Sequence, residues 1–131
     1  MKSFAQATAL LKRKLGARVV RTDVASRHEA SFDSSKILFA AAAVIRPRKE
    51  ADIGVVLELA NKFRVPVTTR GRGTTLTGAA APVQGGWVLD MLALNKIAIA
   101  SEAGMARVQA GATIADIQRA AKAQGWFYPP D

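Results

Sequence analysis

The stretch 65-VPVTTRGRGTTLTG-78 decides how this chain is read. Its first five residues are mostly β-branched, with Pro66 where a strand would start, and they predict a short strand over Val65–Thr69. The nine that follow, Arg70–Gly78, put three glycines, three threonines and two arginines into one connection that ends four residues before Pro82. Glycine is used where the backbone must reach positive φ, or must lie against something with no side chain between. The connection reads as a loop built to hold an anion.

Working outward, Ile53, Val56, Leu57, Ala60 and Phe63 recur at the spacing of one helix face, which predicts an amphipathic helix from Arg48 onward. Before it, the apolar run Ile37–Ile45 suits helix or strand until Pro47 closes it, and Ala43–Arg46 is read as a strand. Strand, helix and strand in that order predict a parallel pair joined by a right-handed crossover. Such a unit delivers the glycine loop to a strand's carboxyl end, where open α/β sheets bind ligands.

At the N-terminus, Ser3 with Gln6 forms a capping box, and Phe4, Ala7, Leu11 and Leu15 recur at helical spacing up to Gly16. Arg18–Arg27 reads as an extended connection, with a short β-like run at Val19-Val20 and then a polar stretch through Asp23, Ser26 and His28. Downstream, Trp87–Met91, Lys96–Ala100 and Met105–Ala110 are strand candidates separated by Asn95, Ser101 and Gly104. Thr113 with Asp116 caps a helix whose stripe is Ile114, Ile117, Ala120 and Ala121 and which stops at Gly125. WFYPPD is extended by its prolines and supplies no closing element, so the expectation is a chain that has been cut or is incomplete. The expected fold is α/β (α+β), a small parallel-then-mixed sheet flanked by helices. A single domain fills 1–131, with a leading helix at 1–16, a core lobe at 43–125 and an extended end at 126–131.

Composition bounds the function. A chain of 131 residues with 50% hydrophobic content can bury one core. Without cysteine there is no disulfide framework, thiolate metal site or thiol nucleophile, and a reducing cytoplasm is the default compartment. No apolar run reaches the length of a membrane span. The N-terminus lacks a signal-peptide core and cleavage site, although its basic, acid-free character up to Asp23 is faintly like an organelle transit peptide. The formal charge of +9, from 19 basic and 10 acidic residues, suits a polyanionic partner. The charges are spread along the chain, aromatic residues are few and no nucleic-acid module is present. The charge is therefore read first as a solvated surface, then as attraction for a phosphate-bearing ligand, and only third as nucleic-acid binding.

Three anion-binding designs compete for the loop. A Walker phosphate loop needs a lysine after its glycines, and none lies between Lys62 and Lys96. A dinucleotide fingerprint counted from Gly71 places Leu76 where its third glycine belongs, and the threonines nearby are poor helix formers. What remains is a loop whose successive N–H groups form concavities for phosphate oxygens, with threonine hydroxyls as further donors and no helix dipole required.

VPVTTRGRGTTLTGAAAPVQGGWVLDMLALNKI, residues 65–97, closely resembles the first half of the FAD-binding domain of the vanillyl-alcohol oxidase and p-cresol methylhydroxylase superfamily. It is most similar to the branch of glycolate oxidase flavin subunits and FAD-linked D-lactate dehydrogenases. Asp33, AVIRPRKEADIGVVLELANKF, VQAGATIADI and YPPD agree with that branch, in register from Arg18 to Asp131. The resemblance implies that Arg70, Gly71, Arg72, Gly73, Thr74, Thr75 and Gly78 wrap the FAD pyrophosphate, chiefly through main-chain N–H groups. Leu76 and Ala79 would shape the bed beneath it, and Pro129 and Pro130 would approach the flavin end. Many relatives carry a histidine where Thr74 falls and link it to the flavin, so FAD here is expected to be non-covalent.

The family's chemistry is oxidation of a small substrate, typically a 2-hydroxy acid, with hydride passing to flavin N5. Relatives continue past the position of Asp131 with a second glycine-rich stretch and a substrate domain carrying the catalytic residues. The resemblance therefore implies no catalytic residue in this chain, weak FAD binding and no turnover alone, and the rest of the flavoenzyme or a partner subunit to complete the pocket. A free-standing interaction module and a basic nucleic-acid-binding domain are the alternatives.

Other residues have plainer readings. Gly85-Gly86 reads as a turn before Trp87, Gly111 as a turn between strand and helix, and His28 as a surface histidine. Asp90, among apolar strand residues, reads as a hydrogen-bonded structural carboxylate. Arg70 and Arg72 could be merely solvated, but two arginines in a glycine loop suit charge-assisted bonds to phosphate.

Overall fold

A computed structural model describes residues 4–130. Ser3, half of the expected capping box, and Asp131 lie outside the described residues. The first helix, α1 (Phe4–Leu15), ends where Gly16 takes φ +87° and donates its N–H to the Lys12 carbonyl. A short strand β1 (Val20–Arg21) leads to helix α2 (Val24–Ala30). Then come β2 (Ala43–Ile45), α3 (Glu50–Phe63), β3 (Val67–Arg70), β4 (Trp87–Asp90), the hairpin β5 (Ile97–Ala100) and β6 (Met105–Val108), and α4 (Ile114–Lys122).

The expected extended connection over Arg18–Arg27 is corrected by α2. Asp23 caps this helix, its carboxylate accepting the Ser26 N–H at 2.8 Å. The helix has no apolar stripe of its own to advertise it, and only Ala30 is buried. His28 lies exposed on α2, its ring edge-on to Phe32 with centroids 5.5 Å apart.

The main sheet has the order β1-β2-β4-β3, with β1 antiparallel to β2 and the other pairs parallel. The crossover strands β2 and β3 are thus parallel, as expected, but they are not neighbours, because β4 lies between them. The reason is burial. Every residue of β2 and β4 is buried, as suits central parallel strands covered on both faces, whereas β3 is only partly buried at the edge. Strand β3 also begins two residues later than expected, since Arg64 closes α3 in the left-handed region at φ 54° and Val65 still donates to the Ala60 carbonyl.

Alternation along β2 and β4 separates two cores. Ala43, Ile45, Trp87 and Leu89 face α1 and α3, joining Ala7, Leu11, Val56, Leu59 and Ala60, while Val44 and Val88 meet Ala30 and Ala41 on the other side. The inward face of α3 is therefore Val56, Leu59 and Ala60, and Leu57, expected on it, is 44% exposed. Fully buried Trp87 donates its indole N–H to Thr8 Oγ1 at 2.8 Å, so α1 belongs to the same core. Asp52 satisfies the start of α3 by accepting the Arg48 N–H at 2.9 Å and the Lys49 N–H at 3.3 Å. No helix of the described residues is long and apolar enough to cross a membrane.

Candidate functional site

The parallel strands β2, β4 and β3 all end on one side of the sheet, at Ile45, Asp90 and Arg70. Asp90, paired in register with Arg70, is buried, and its Oδ2 accepts two bonds from the Arg46 guanidinium, the Nε one at 2.8 Å. Its Oδ1 accepts the Leu92 N–H at 3.0 Å. With both oxygens engaged, Asp90 ties the ends of β2 and β4 together as a structural carboxylate.

The glycine loop leaves β3 directly above this pair. Gly73 and Gly78 take φ of +69° and +78°, the left-handed turns that let consecutive N–H groups converge on one side of a loop. Among the described residues none accepts a hydrogen bond from the N–H groups of 71–76, 78 or 79. So many main-chain donors without a protein partner on one loop are available to an anion. The Thr75 and Thr77 hydroxyls bond to each other at 2.9 Å and close the tip, where Leu76 is 78% exposed.

Glycine has a different use at each position. At Gly73 an added Cβ would overlap the Arg70 guanidinium, and at Gly86 the Pro66 carbonyl. Gly71 has no atom within 4 Å of an added Cβ and a φ outside the left-handed range. Nothing in the protein itself requires glycine there.

Gly71, Arg72 and Thr74 form one wall of an open groove of about 610 Å³, and residues 110–116 with Arg119 form the other. Gly111, on that second wall, needs to be glycine for closeness, not for turning. A Cβ there would strike the Met91 carbonyl oxygen, and its N–H bonds the Leu94 carbonyl at 2.8 Å. Across the groove, Thr113 caps α4 by accepting the Asp116 N–H at 3.1 Å, and its hydroxyl donates to Asp116 Oδ2 at 2.6 Å. That hydroxyl bond, followed by Arg119, holds the Asp116 carboxyl below its ordinary value. The groove wall thus adds a helix N-terminus, which the sequence reading had not called for.

Behind the loop stands the turn between α2 and β2. Asp33 is 3% exposed, its Oδ1 accepting the Ser35 N–H at 2.9 Å and its Oδ2 the Ala80 N–H at 3.2 Å. The Ser34 N–H donates to the Gly73 carbonyl at 3.1 Å, and Arg70 Nη1 donates to the Phe32 carbonyl. The Ser35 hydroxyl first, then the Ser35 and Ala80 N–H groups and the Arg70 charge, hold the Asp33 carboxyl below its ordinary value against the opposing effect of burial.

Of the residues expected to cradle an anion, Gly71, Arg72 and Thr74 face the groove together. Arg70 is turned back onto the Phe32 carbonyl. Pro129 and Pro130 lie on an exposed tail that Gln118 ties to α4 through the Pro130 carbonyl at 2.7 Å, and neither lines the groove. The sequence reading gave no role to Asp33, Ser34 or Arg46. An Asp-Ser-Ser run is a signal for a side-chain-capped turn, but its target, 47 residues on at Ala80, has no local signature. Among the described residues no group of His, Cys, Asp and Glu could hold a metal ion.

The model of the FAD binding domain family matches residues 41–131. Glycolate oxidase subunit GlcD of Bacillus subtilis is 41% identical over 90 residues, which are 68% of this chain and 19% of that protein. A D-lactate dehydrogenase of Anaerostipes hadrus is 33% identical over 81 residues, 61% of this chain and 17% of that protein. The chain therefore spans less than a fifth of the length of these relatives. Among solved structures, p-cresol methylhydroxylase with substrate bound superposes with a TM-score of 0.79 at 22% identity, over 93% of this chain and 25% of that one. Alkyldihydroxyacetonephosphate synthase does so with a TM-score of 0.80 at 21% identity, over 95% and 28%. At such identities the likeness is one of fold.

Proposed function

We propose, for a chain that belongs to the FAD-binding domain family, that the loop 71–79 holds the pyrophosphate of FAD against its main-chain N–H groups. The observation that carries this reading is the run of loop N–H groups without a protein acceptor, beside an open groove, at the carboxyl ends of parallel strands. The residues suit the group. Two phosphates need several converging donors and close backbone approach, and Gly71 leaves open the space that a side chain would fill. Arg72, exposed on the loop, adds a charge-assisted bond, and the Thr74 hydroxyl and the first turn of α4 add donors across the groove. Leu76 and Ala79 would shape the bed, Pro129 and Pro130 would approach the flavin end, and Arg70 would act on the loop's shape or, swung outward, on phosphate.

Thr74 carries no nucleophilic ring nitrogen, so attachment is non-covalent at that position. Bound there, FAD would supply the hydride acceptor, and these residues would anchor and orient it. By likeness to glycolate oxidase subunit GlcD and D-lactate dehydrogenase, the longer protein of which this is the cofactor-binding lobe would oxidise a small 2-hydroxy acid, and for a chain without cysteine a reducing cytoplasm is the default compartment. The remaining pocket would come from further chain or a partner subunit. Alone, the lobe binds FAD weakly and turns over neither glycolate nor lactate.

The test is a calorimetric titration of flavin-free protein with FAD, ADP and inorganic pyrophosphate. Binding of all three, lost when Gly71 and Arg72 are replaced, supports the assignment. Binding of FAD that survives those replacements would move the cofactor elsewhere.

A further inference from the structure

We propose that Asp33 is the positioning residue of the anion loop: from the turn between α2 and β2 its carboxylate holds the loop's return at Ala80 and so sets the direction of the loop's N–H groups. This rests on reading the loop as a pyrophosphate cradle. A carboxylate beside a phosphate site would ordinarily oppose binding. Asp33 avoids that because both oxygens are turned to the back of the loop and engaged, Oδ1 by Ser35 and Oδ2 by Ala80. It is 3% exposed and lines none of the groove, so it is not a ligand.

The geometry also gives a direction. In a trans peptide the carbonyl and the following N–H point opposite ways. The Ser34 N–H draws the Gly73 carbonyl toward the turn, which aims the Thr74 N–H away from it, and Thr74 lines the groove. The turn thus grips the loop at three places: Arg70 through the Phe32 carbonyl, Gly73 through Ser34, and Ala80 through Asp33. Between β3 and β4 the chain runs from Gly71 to Gly86 without helix or strand, and a segment of that length loses considerable freedom when ordered. A grip made in advance removes that cost from binding.

Asp33→Asn keeps the volume but turns an amide donor toward one of two N–H groups that both need an acceptor. In flavin-free protein, exchange of the Ala80 amide should quicken and the ¹⁵N order parameters of 71–79 should fall. Amides of β2 and β4 and the far-ultraviolet circular dichroism should be unchanged, and the FAD Kd should rise about tenfold. Loop order and FAD affinity equal to wild type would overturn the proposal. So would a wild-type Ala80 amide that exchanges as freely as those of 71–76, a measurement that needs no variant. Failure of the cradle reading is distinct: wild-type protein with an ordered loop would bind neither FAD nor pyrophosphate, while the order parameters still report on Asp33.

Discussion

Gly71→Ala separates folding from binding at a single atom. An added Cβ at Gly71 meets no atom within 4 Å, and the backbone is outside the left-handed range. Alanine there should restrict the unfolded chain at no cost to the folded one and stabilise by about 0.4–1 kcal/mol. At about 3–5 °C per kcal/mol for a chain of this size, the melting temperature should rise about 1–5 °C. The same methyl group would stand where a phosphate must lie against the backbone. Crowding of that kind costs about 1–3 kcal/mol, which weakens FAD binding roughly fivefold to 150-fold. Thermal denaturation and FAD titration of the same preparation read both effects.

Gly54→Ala is the control. It lies exposed within α3, again with nothing within 4 Å of a Cβ, and should stabilise by about 0.5–1 kcal/mol without touching FAD affinity. A Gly71→Ala protein whose Kd stays within about twofold of wild type would refute the argument that the ligand requires this glycine.

Thr8→Val removes the acceptor of the buried Trp87 N–H and should cost about 1–3 kcal/mol by urea unfolding; combined with Trp87→Phe it should cost less than the sum, because no donor is then orphaned. Gly111→Ala drives a methyl group into the Met91 carbonyl and lies 2.8 Å from the Leu94 one; neither is a flexible side-chain end, so stability should fall by about 1–3 kcal/mol or more in a thermal melt. Asp23, Asp33 and Asp116 all have carboxyl groups held below their ordinary value, mainly by hydrogen bonds from Ser26, Ser35 and Thr113. A lowered folded pKa gives stability that is complete above about pH 4 and is lost as the pH falls through the folded values, so melting temperature should decline on that acid side and Asp33→Asn should flatten its share.

The sequence alone determined what is local. Helical spacing with Gly16 beyond it set α1, the repeat from Ile53 to Phe63 set α3, Thr113 with Asp116 set the start of α4, and glycine with threonine marked the loop that an anion would use. These signals survive because capping, turning and amphipathic periodicity act within a few residues of chain. Helix α2 was hidden because a single buried alanine leaves almost no periodicity to detect.

Tertiary structure decided whatever depends on a partner far along the chain. It put β4 between β2 and β3, because Trp87, Val88 and Leu89 gain more by being covered on both faces than the threonines and arginine of β3 do. It turned Arg70 from the groove to the Phe32 carbonyl, and it brought Asp33 behind the loop to meet Ala80. It placed the first turn of α4 opposite Gly71 and Thr74. The loop's donors belong to its own residues, but their direction is set by contacts across 38 to 47 positions of sequence, and no local pattern encodes those.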